Sequence, residues 1–357
     1  MSRRPFIVLT AIVALIAVAC GPAAGTASPS AAPGSSSVAP SASGDGSVEP
    51  SQAPVALTVG LGFIPSVQFA QFYLADQAGY YEEAGLDVTF QNKIDPDLVT
   101  LVGQGSIDLG LADGTSVIPA VSNAIPIKYV ATIYGRFPSI VFAKASSGIA
   151  NAADLKGRKL GIPGRFGSSW IMLQALLKSA SLTPDDLQVV EYPDFGQGAA
   201  VTQGAVDAAT GFANNEPVQL RLTGEEVNIL RVDEVTPLPG NGLIVGLDAL
   251  DAKGDAIAAF VAATLRAMDD ITKDPEKGLD AALTAVPDLA ANRDTQAAIL
   301  DATIEVWRGP NQEARGLGAI EPDDWEKSVA FMTELGLVPN PVTAEDLVDT
   351  GFLPQTG

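Results

Sequence analysis

The 357-residue sequence contains no histidine and only one cysteine, Cys20. Without histidine, the chain has no Ser-His-Asp or Cys-His nucleophile pair and no histidine-ligated metal site. A single cysteine excludes an intrachain disulfide and a cluster of thiolate ligands. Carboxylate chemistry and sites for hard cations stay open, although no segment predicts a metal site or a cofactor.

Basic residues are also few. The chain has 21 Lys and Arg against 42 Asp and Glu, a net charge of −21 and a pI near 4.2. Nucleic-acid binding depends on Lys and Arg that neutralise phosphates, so this composition argues against it. The 47% apolar content is enough for a sizeable core, and the length predicts about two domains.

The N-terminus carries a basic, then apolar, then small-residue pattern. Arg3 and Arg4 precede an apolar run over 6–19 that is short for a permanent membrane span, and "AVACG" follows. This pattern resembles a bacterial lipoprotein signal, which is cut before the cysteine. We therefore expect a signal peptide over 1–19 and a lipid on Cys20. The alternative is an ordinary secretory signal with an unrelated cysteine.

Residues 20–54 are mostly Ala, Gly, Ser and Pro, and Asp45 and Glu49 are the only charged side chains there. Such a composition cannot build a core, so it predicts a flexible tether. The mature protein would then be a globular part held at the outer face of the cytoplasmic membrane.

From residue 55 onward the pattern is α/β, and it repeats. Gly60 and Gly161 lie 101 positions apart, as do "LDV" at 86–88 and "LQV" at 187–189. "QGSID" at 104–108 matches "QGAVD" at 203–207 at an offset of 99. Several matches near one offset favour two similar lobes over one long sheet. The alternative is that any two βαβ units look alike.

The repeat sets the predicted domain boundaries. Lobe 1 is predicted over 55–143 and 242–357, and lobe 2 over 144–241. Helical patterns dominate after residue 253, and we expect these helices to pack on lobe 1. Two chain crossings, near 143–150 and 238–242, would then form a hinge.

In open parallel sheets, ligands bind beside the carboxyl ends of the strands. Four segments are predicted to reach that position: "GFIPSVQFAQFY" (62–73), "LADGTS" (111–116), "GIPGRFGSSW" (161–170) and "GFANNEPVQ" (211–219). If the lobes face each other, these segments line one cleft.

The first helix of lobe 1 has two apolar stripes where one would cover the sheet. The first stripe is Val67, Ala70 and Leu74, and the second is Phe69, Phe72 and Tyr73. Aromatic faces stack on rings, so the second stripe and Phe63 could contact a flat apolar ligand. The alternative places the aromatic stripe in the core under the C-terminal helices.

Lobe 2 supplies the polar groups. "GRFGSSW" opens a helix whose free N–H groups and Arg165 favour an acceptor or an anion, although a serine there could simply cap the helix. Asn214, Asn215 and Glu216 suit a heterocycle with both donors and acceptors, and a structural turn is the alternative. Asp113 has the matching position in lobe 1, and a carboxylate pair with Glu216 would be the basis of an enzyme.

Several motifs together resemble a known family. They are "VQFAQFYLADQAGYYEEAGLDVTF", "QGSIDLGLADG", "IKYVATIY", "ADLKGRKLGIPGRFGSS" and "VDAATGFANNEPVQL". They resemble the substrate-binding lipoproteins of ABC importers, of the nitrate/sulfonate and thiamine-pyrimidine type, over about 57–310. "GFIPSVQFAQFY" and "NNEPVQLR" are most similar to bacterial riboflavin-binding lipoproteins. Enzymes that make the thiamine pyrimidine also resemble this fold, but they rely on histidine and a cysteine-rich motif.

The resemblance implies a two-lobed α/β fold of the periplasmic-binding-protein type (type II), with the ligand between the lobes. It implies capture of a small molecule and delivery to a membrane permease, and we expect a monomer. Riboflavin is the first choice, and a thiamine pyrimidine precursor or a sulfonate- or nitrate-type anion is the alternative. The predicted ligand contacts are Phe63, Gln68, Phe69, Tyr73, Asp113, Tyr134, Arg165, Phe166, Ser168, Asn214, Asn215 and Glu216.

Overall fold

The computed structural model of the chain describes residues 53–93 and 97–354. The predicted signal peptide, the predicted lipidation site Cys20 and nearly all of the predicted tether lie outside these ranges. Within them, no helix has both the length and the apolar character needed to cross a bilayer.

Two five-stranded sheets organise the fold. The first sheet has the order β2-β1-β3-β10-β4. Its strands are β1 (Val55–Gly60), β2 (Leu86–Gln91), β3 (Leu109–Ala112), β4 (Ile127–Thr132) and β10 (Gly242–Gly246). β1 runs parallel to β2 and β3, whereas β10 lies antiparallel between β3 and β4.

The second sheet has the same plan, with the order β7-β6-β8-β5-β9. Its strands are β5 (Ser139–Lys144), β6 (Lys159–Ile162), β7 (Gln188–Glu191), β8 (Ala208–Phe212) and β9 (Val227–Arg231). β6 is parallel to β7 and β8, and β5 lies antiparallel between β8 and β9. The fourth position of each sheet is therefore filled by a strand adjacent to a chain crossing, and the two lobes repeat each other.

This pairing corrects the predicted lobe boundary. β5 was expected in lobe 1 but is hydrogen-bonded in the second sheet, so the first crossing lies within 133–138 and the second within 232–241. β4 and β5 are both apolar runs, and composition does not show which sheet such a run joins. The crossings contact each other, since the N–H groups of Ile133 and Tyr134 donate to the Asn241 carbonyl at 3.0 and 2.8 Å.

Helices cover both sheets. In the first part of the chain they are α1 (Ala70–Gln77), α2 (Tyr80–Glu83), α3 (Leu98–Gly103), α4 (Gly114–Ser122), α5 (Gly167–Ser179), α6 (Gln197–Thr202) and α7 (Glu216–Leu222). The C-terminal helices are α8 (Leu247–Lys273), α9 (Pro275–Ala285), α10 (Arg293–Trp307), α11 (Pro310–Arg315), α12 (Pro322–Glu334) and α13 (Ala344–Leu347). A 3-10 turn over Val67–Phe69, capped by the Ser66 side chain, leads into α1.

The C-terminal helices pack on lobe 1 and explain part of the second apolar stripe of α1. Phe72 is fully buried, with its ring stacked on Phe260 of α8 at a centroid distance of 6.3 Å and tilted against Phe90 at 5.6 Å. Tyr81 stacks on the same Phe260 at 5.0 Å. Phe72 is thus a core residue and not a wall of the cleft, because α8 and α9 cover that side of α1.

Candidate functional site

A cleft of about 980 Å³ lies between the two lobes. Lobe 1 lines it with the segment after β1, and the crossings add Ile133, Tyr134 and Asn241. Lobe 2 lines it with three stretches that follow β6, β7 and β8. The carboxyl ends of the parallel strands in both sheets therefore face one cavity, as expected for this architecture.

The predicted site residues divide into two groups. Those that line the cleft are Phe63, Gln68, Phe69, Tyr134, Phe166, Ser168, Asn215 and Glu216. Those outside its lining are Tyr73, Asp113, Arg165 and Asn214.

Three of the second group have structural partners. Tyr73 is buried and accepts a hydrogen bond from Asn92 Nδ2 at 3.3 Å. Asp113 caps α4 and accepts from Thr115 Oγ1 at 2.6 Å and from the Ser116 N–H at 3.1 Å. The guanidinium of Arg165 pairs with Glu191 at 3.2 Å.

Asn214 lies just beneath the cleft and connects the lobes. Its side chain is fully buried, and Nδ2 lies 3.0 Å from Thr303 Oγ1, 3.2 Å from Gln68 Oε1 and 3.4 Å from the Tyr134 hydroxyl. The Thr303 hydroxyl itself donates to the Ile299 carbonyl, which fixes it as an acceptor for Asn214. Burial raises the pKa of Tyr134, so this hydroxyl stays protonated.

The mouth of the cleft is apolar on both lobes. Phe63 and Ile64 on lobe 1 are 37% and 52% exposed, and Phe166 and Phe195 on lobe 2 are 72% and 55% exposed. Phe195 also has a positive φ of 59°, a conformation that a side chain with a Cβ rarely adopts. Large exposed aromatic groups are uncommon on a soluble surface and indicate a binding site when they cluster.

Glu216 is the first residue of α7 and is held by the backbone. Its Oε2 accepts from the Phe212 N–H at 2.8 Å. Burial raises the pKa of the Glu216 carboxyl, and the backbone hydrogen bonds oppose that effect. The carboxyl can therefore serve as an acceptor, or as a donor once it is protonated.

Among the described residues, the cleft lining carries no positively charged side chain. No Lys or Arg side chain occurs among the residues that line the cleft within the described part of the chain. Arg136, like Arg165, forms an ion pair outside it, with Asp233 at 3.6 Å. The described lining offers an anion only backbone N–H groups and neutral side chains, including those of Gly167, Ser168 and Ser169 in the first turn of α5.

Several lining residues were not among the predicted ligand contacts, notably Gln71, Phe195, Gln197 and Asn241. Of these, Gln71 lies within the segment 62–73 that was predicted to reach the cleft. The stretch 194–203 follows β7 and was not assigned to the cleft. Gln71 and Gln197 are 1% and 2% exposed, and the Oε1 atom of each has no hydrogen-bond partner within the described residues. A glutamine in an otherwise apolar or small-residue helix turn is the signal that could have identified both.

Residues 66–278 match the family described as NMT1/THI5 like. The chain is 33% identical over 302 residues to the riboflavin-binding protein RibY of Chloroflexus aurantiacus, covering 84% of this chain and 86% of that protein. It is 26% identical over 296 residues to the formylaminopyrimidine-binding protein of Halalkalibacterium halodurans, covering 80% and 87%.

Among solved structures, the periplasmic aliphatic sulphonate binding protein SsuA from Escherichia coli superposes with a TM-score of 0.67 at 21% identity, covering 83% of this chain and 97% of that one. At this identity the likeness concerns the fold, and it confirms the predicted two-lobed α/β fold of periplasmic binding proteins. The match over 66–278 and the identity to the riboflavin-binding relative together show that the chain belongs to the NMT1/THI5-like family.

Proposed function

We propose that this protein is the solute-binding component of an ABC importer, and that it captures a flat, uncharged heteroaromatic ligand, riboflavin in the first instance. The observation that carries the proposal is the cleft itself, which presents aromatic side chains from both lobes and amide groups between them. The 33% identical relative is a riboflavin-binding protein, which supports the same ligand class.

The aromatic residues favour a ring system. Phe63 and Phe69 on lobe 1 and Phe166 and Phe195 on lobe 2 all line the cleft. Aromatic side chains give a large contact area at low conformational cost and stack on planar ligands. A ligand with two faces can contact both lobes at once, so its binding favours their closure.

The size and charge of the cleft rank the alternatives. A volume of about 980 Å³ lies near the upper end of small-molecule pockets. It suits a fused three-ring ligand with a side chain better than a single pyrimidine ring. A sulfonate or nitrate would meet no Lys or Arg in the described lining, and burial of an unpaired anion is costly.

Capture without turnover also accounts for the carboxylates. The enzyme alternative needs Asp113 and Glu216 to act as a pair, but Asp113 caps α4 outside the cleft. The chain has no histidine to act as an acid or base. The ligand would therefore be released in chemically unchanged form and pass to a permease. A lipid on Cys20 would keep the protein on the outer face of the membrane.

A fluorescence titration tests the ligand. The protein is unfolded, dialysed and refolded to remove any ligand from the expression host, and riboflavin emission is followed as protein is added. We expect saturable one-to-one quenching in the micromolar range or below. Mass spectrometry should recover the ligand unchanged after incubation.

Competition separates the alternatives. A thiamine-type aminopyrimidine and an alkanesulfonate should each fail to displace riboflavin at equal concentration. If micromolar protein does not quench riboflavin emission but binds one of the competitors, that competitor becomes the proposed ligand in place of riboflavin. A chemically altered ligand after incubation would contradict capture without turnover.

A further inference from the structure

Gln197 is an unusual residue for its position in the fold. It is the first residue of α6, is 2% exposed and lines the cleft. Its Nε2 donates to the Thr210 carbonyl of β8 at 3.3 Å, which sets the orientation of the amide. Its Oε1 has no hydrogen-bond partner within the described residues, and the Thr210 hydroxyl is not bonded to it.

The repeat shows that the fold does not require an amide here. In lobe 1 the corresponding helix α3 begins at Leu98. A Cβ on Gly60 of β1 would lie 2.4 Å from Leu98 Cδ1, and a Cβ on Gly161 of β6 would lie 3.0 Å from Gln197 Cβ. Both side chains therefore pack on the equivalent glycine of the equivalent strand, and in lobe 1 an aliphatic side chain is sufficient.

A buried amide oxygen without a partner destabilises the folded protein, since the oxygen loses its hydrogen bonds to water. Leucine in the same place would avoid that cost. Leucine would lose the hydrogen bond from Nε2 to the Thr210 carbonyl. The amide oxygen has no partner within the described residues, however, and Gln197 lines the cleft that a ligand enters. An amide oxygen only accepts, so the complementary ligand group must be a donor.

We infer that Gln197 determines specificity in the cleft: its Oε1 accepts a hydrogen bond from a ring N–H of the bound ligand. The inference rests on the proposed capture of a heteroaromatic ligand and narrows it to rings that carry an N–H donor. Riboflavin has one such group, the imide N–H between the two carbonyls of its ring system.

The test uses riboflavin and its N3-methyl derivative with the wild-type protein and Gln197→Leu. We expect the wild-type protein to bind riboflavin about tenfold more tightly than the methylated ring, the effect of one hydrogen bond left unpaired in a buried site. Gln197→Leu should bind riboflavin about tenfold more weakly and lose the preference. Its melting temperature should stay close to that of the wild type, because the variant loses the Nε2 hydrogen bond together with the unpaired oxygen.

Gln312→Leu is the matched control. Gln312 is also buried, its Nε2 also donates to a backbone carbonyl, that of Ala319, and its Oε1 also has no partner within the described residues, but it does not line the cleft. This variant should keep both the affinity and the preference. Gln197→Met, which keeps the length but has no amide, replaces the leucine variant should that variant fail to fold.

Two results are decisive in different ways. In the first, the wild type binds riboflavin, and Gln197→Leu or Gln197→Met shows the same affinity and the same preference for riboflavin over its N3-methyl derivative. This result would overturn the role of Gln197 and leave the proposed function intact. Failure of the wild type to bind either flavin would overturn riboflavin as the ligand in the proposed function, and with it the inference that rests on that ligand.

Discussion

Asn214 of lobe 2 donates from Nδ2 to Thr303 Oγ1 on α10, 3.0 Å away, and both side chains are fully buried. Thr303 belongs to the C-terminal helices that brace lobe 1, so this bond crosses from one lobe to the other beneath the cleft. Gln68 and the Tyr134 hydroxyl lie around the same nitrogen. The group connects the lobe 2 strand end to lobe 1 and to the first crossing.

Asn214→Ala should lower the free energy of unfolding by about 1–3 kcal/mol, because it leaves buried polar partners without their donor. Chemical denaturation measures the change. Asn215→Ala is the neighbouring control, because Asn215 is only partly buried and its Oδ1 accepts from the exposed Gln219. Equal losses in the two variants would contradict a special role of Asn214 in joining the lobes.

Phe195→Gly should stabilise the fold while it weakens ligand binding. The positive φ of 59° is unfavourable for phenylalanine and free for glycine, a difference of about 1 kcal/mol. The ring is 55% exposed, so its removal loses little packing. Riboflavin affinity should fall about three- to tenfold, the contribution of one aromatic contact.

The control for this substitution is Phe195→Ala. Alanine removes the ring but keeps a Cβ, so it should weaken binding to the same extent without the gain in stability. Thermal unfolding and fluorescence titration report the two effects separately. Unchanged affinity in both variants would show that Phe195 does not contact the ligand.

Glu216→Gln should raise stability at neutral pH. Burial raises the pKa of Glu216 in the folded state above its ordinary value of 4.5, so the folded protein holds the proton more tightly than the unfolded chain. Stability is therefore lost as pH rises from about 4.5 through the folded pKa. Glutamine can accept from the Phe212 N–H in the same way and does not ionise.

Melting curves of both proteins between pH 4 and pH 8 check this sign. The gain in stability from Glu216→Gln should be largest at neutral pH and should shrink as the pH falls below the ordinary pKa of the carboxyl, 4.5. A gain that grows with acidity would mean that the folded state stabilises the carboxylate.

Arg165→Ala should change riboflavin affinity less than twofold and stability by less than about 1 kcal/mol, as for other exposed ion pairs. Arg165 and Glu191 are each about half exposed, and Arg165 lies outside the cleft lining. A titration in low and in high salt measures the effect. A tenfold loss of affinity that disappears at high salt would instead favour an anionic ligand.

Much of this arrangement could be predicted from the sequence because the lobes repeat. The matching offsets of Gly60 with Gly161 and of their neighbours predicted two sheets, and the rule for strand ends placed Phe63 and Glu216 in one cleft. The position of Phe63 in a loop, and not in a helix or strand, was also a local signal for a place in the cleft.

Other features depend on partners that are distant in the sequence. The sequence around Phe72 does not show that Phe260 will stack on it. The sequence therefore could not distinguish a core position for Phe72 from a position in the cleft. Arg165 looked available until the fold placed Glu191 beside it. Gln197 lies among small residues, and the sequence offset of 99 aligns it with Leu98. Only the structure shows that both side chains pack on equivalent glycines and that the amide oxygen of Gln197 is unpaired within the described residues.

The position of β10 has a consequence for the order in which the lobes form. Every strand of the second sheet lies within residues 139–231, whereas the first sheet needs residues 242–246 between β3 and β4. As the chain emerges from N-terminus to C-terminus, the lobe that begins later can complete its hydrogen bonding earlier. The first sheet can be completed only after β10 has been synthesised, because β10 is the strand that joins β4 to β3.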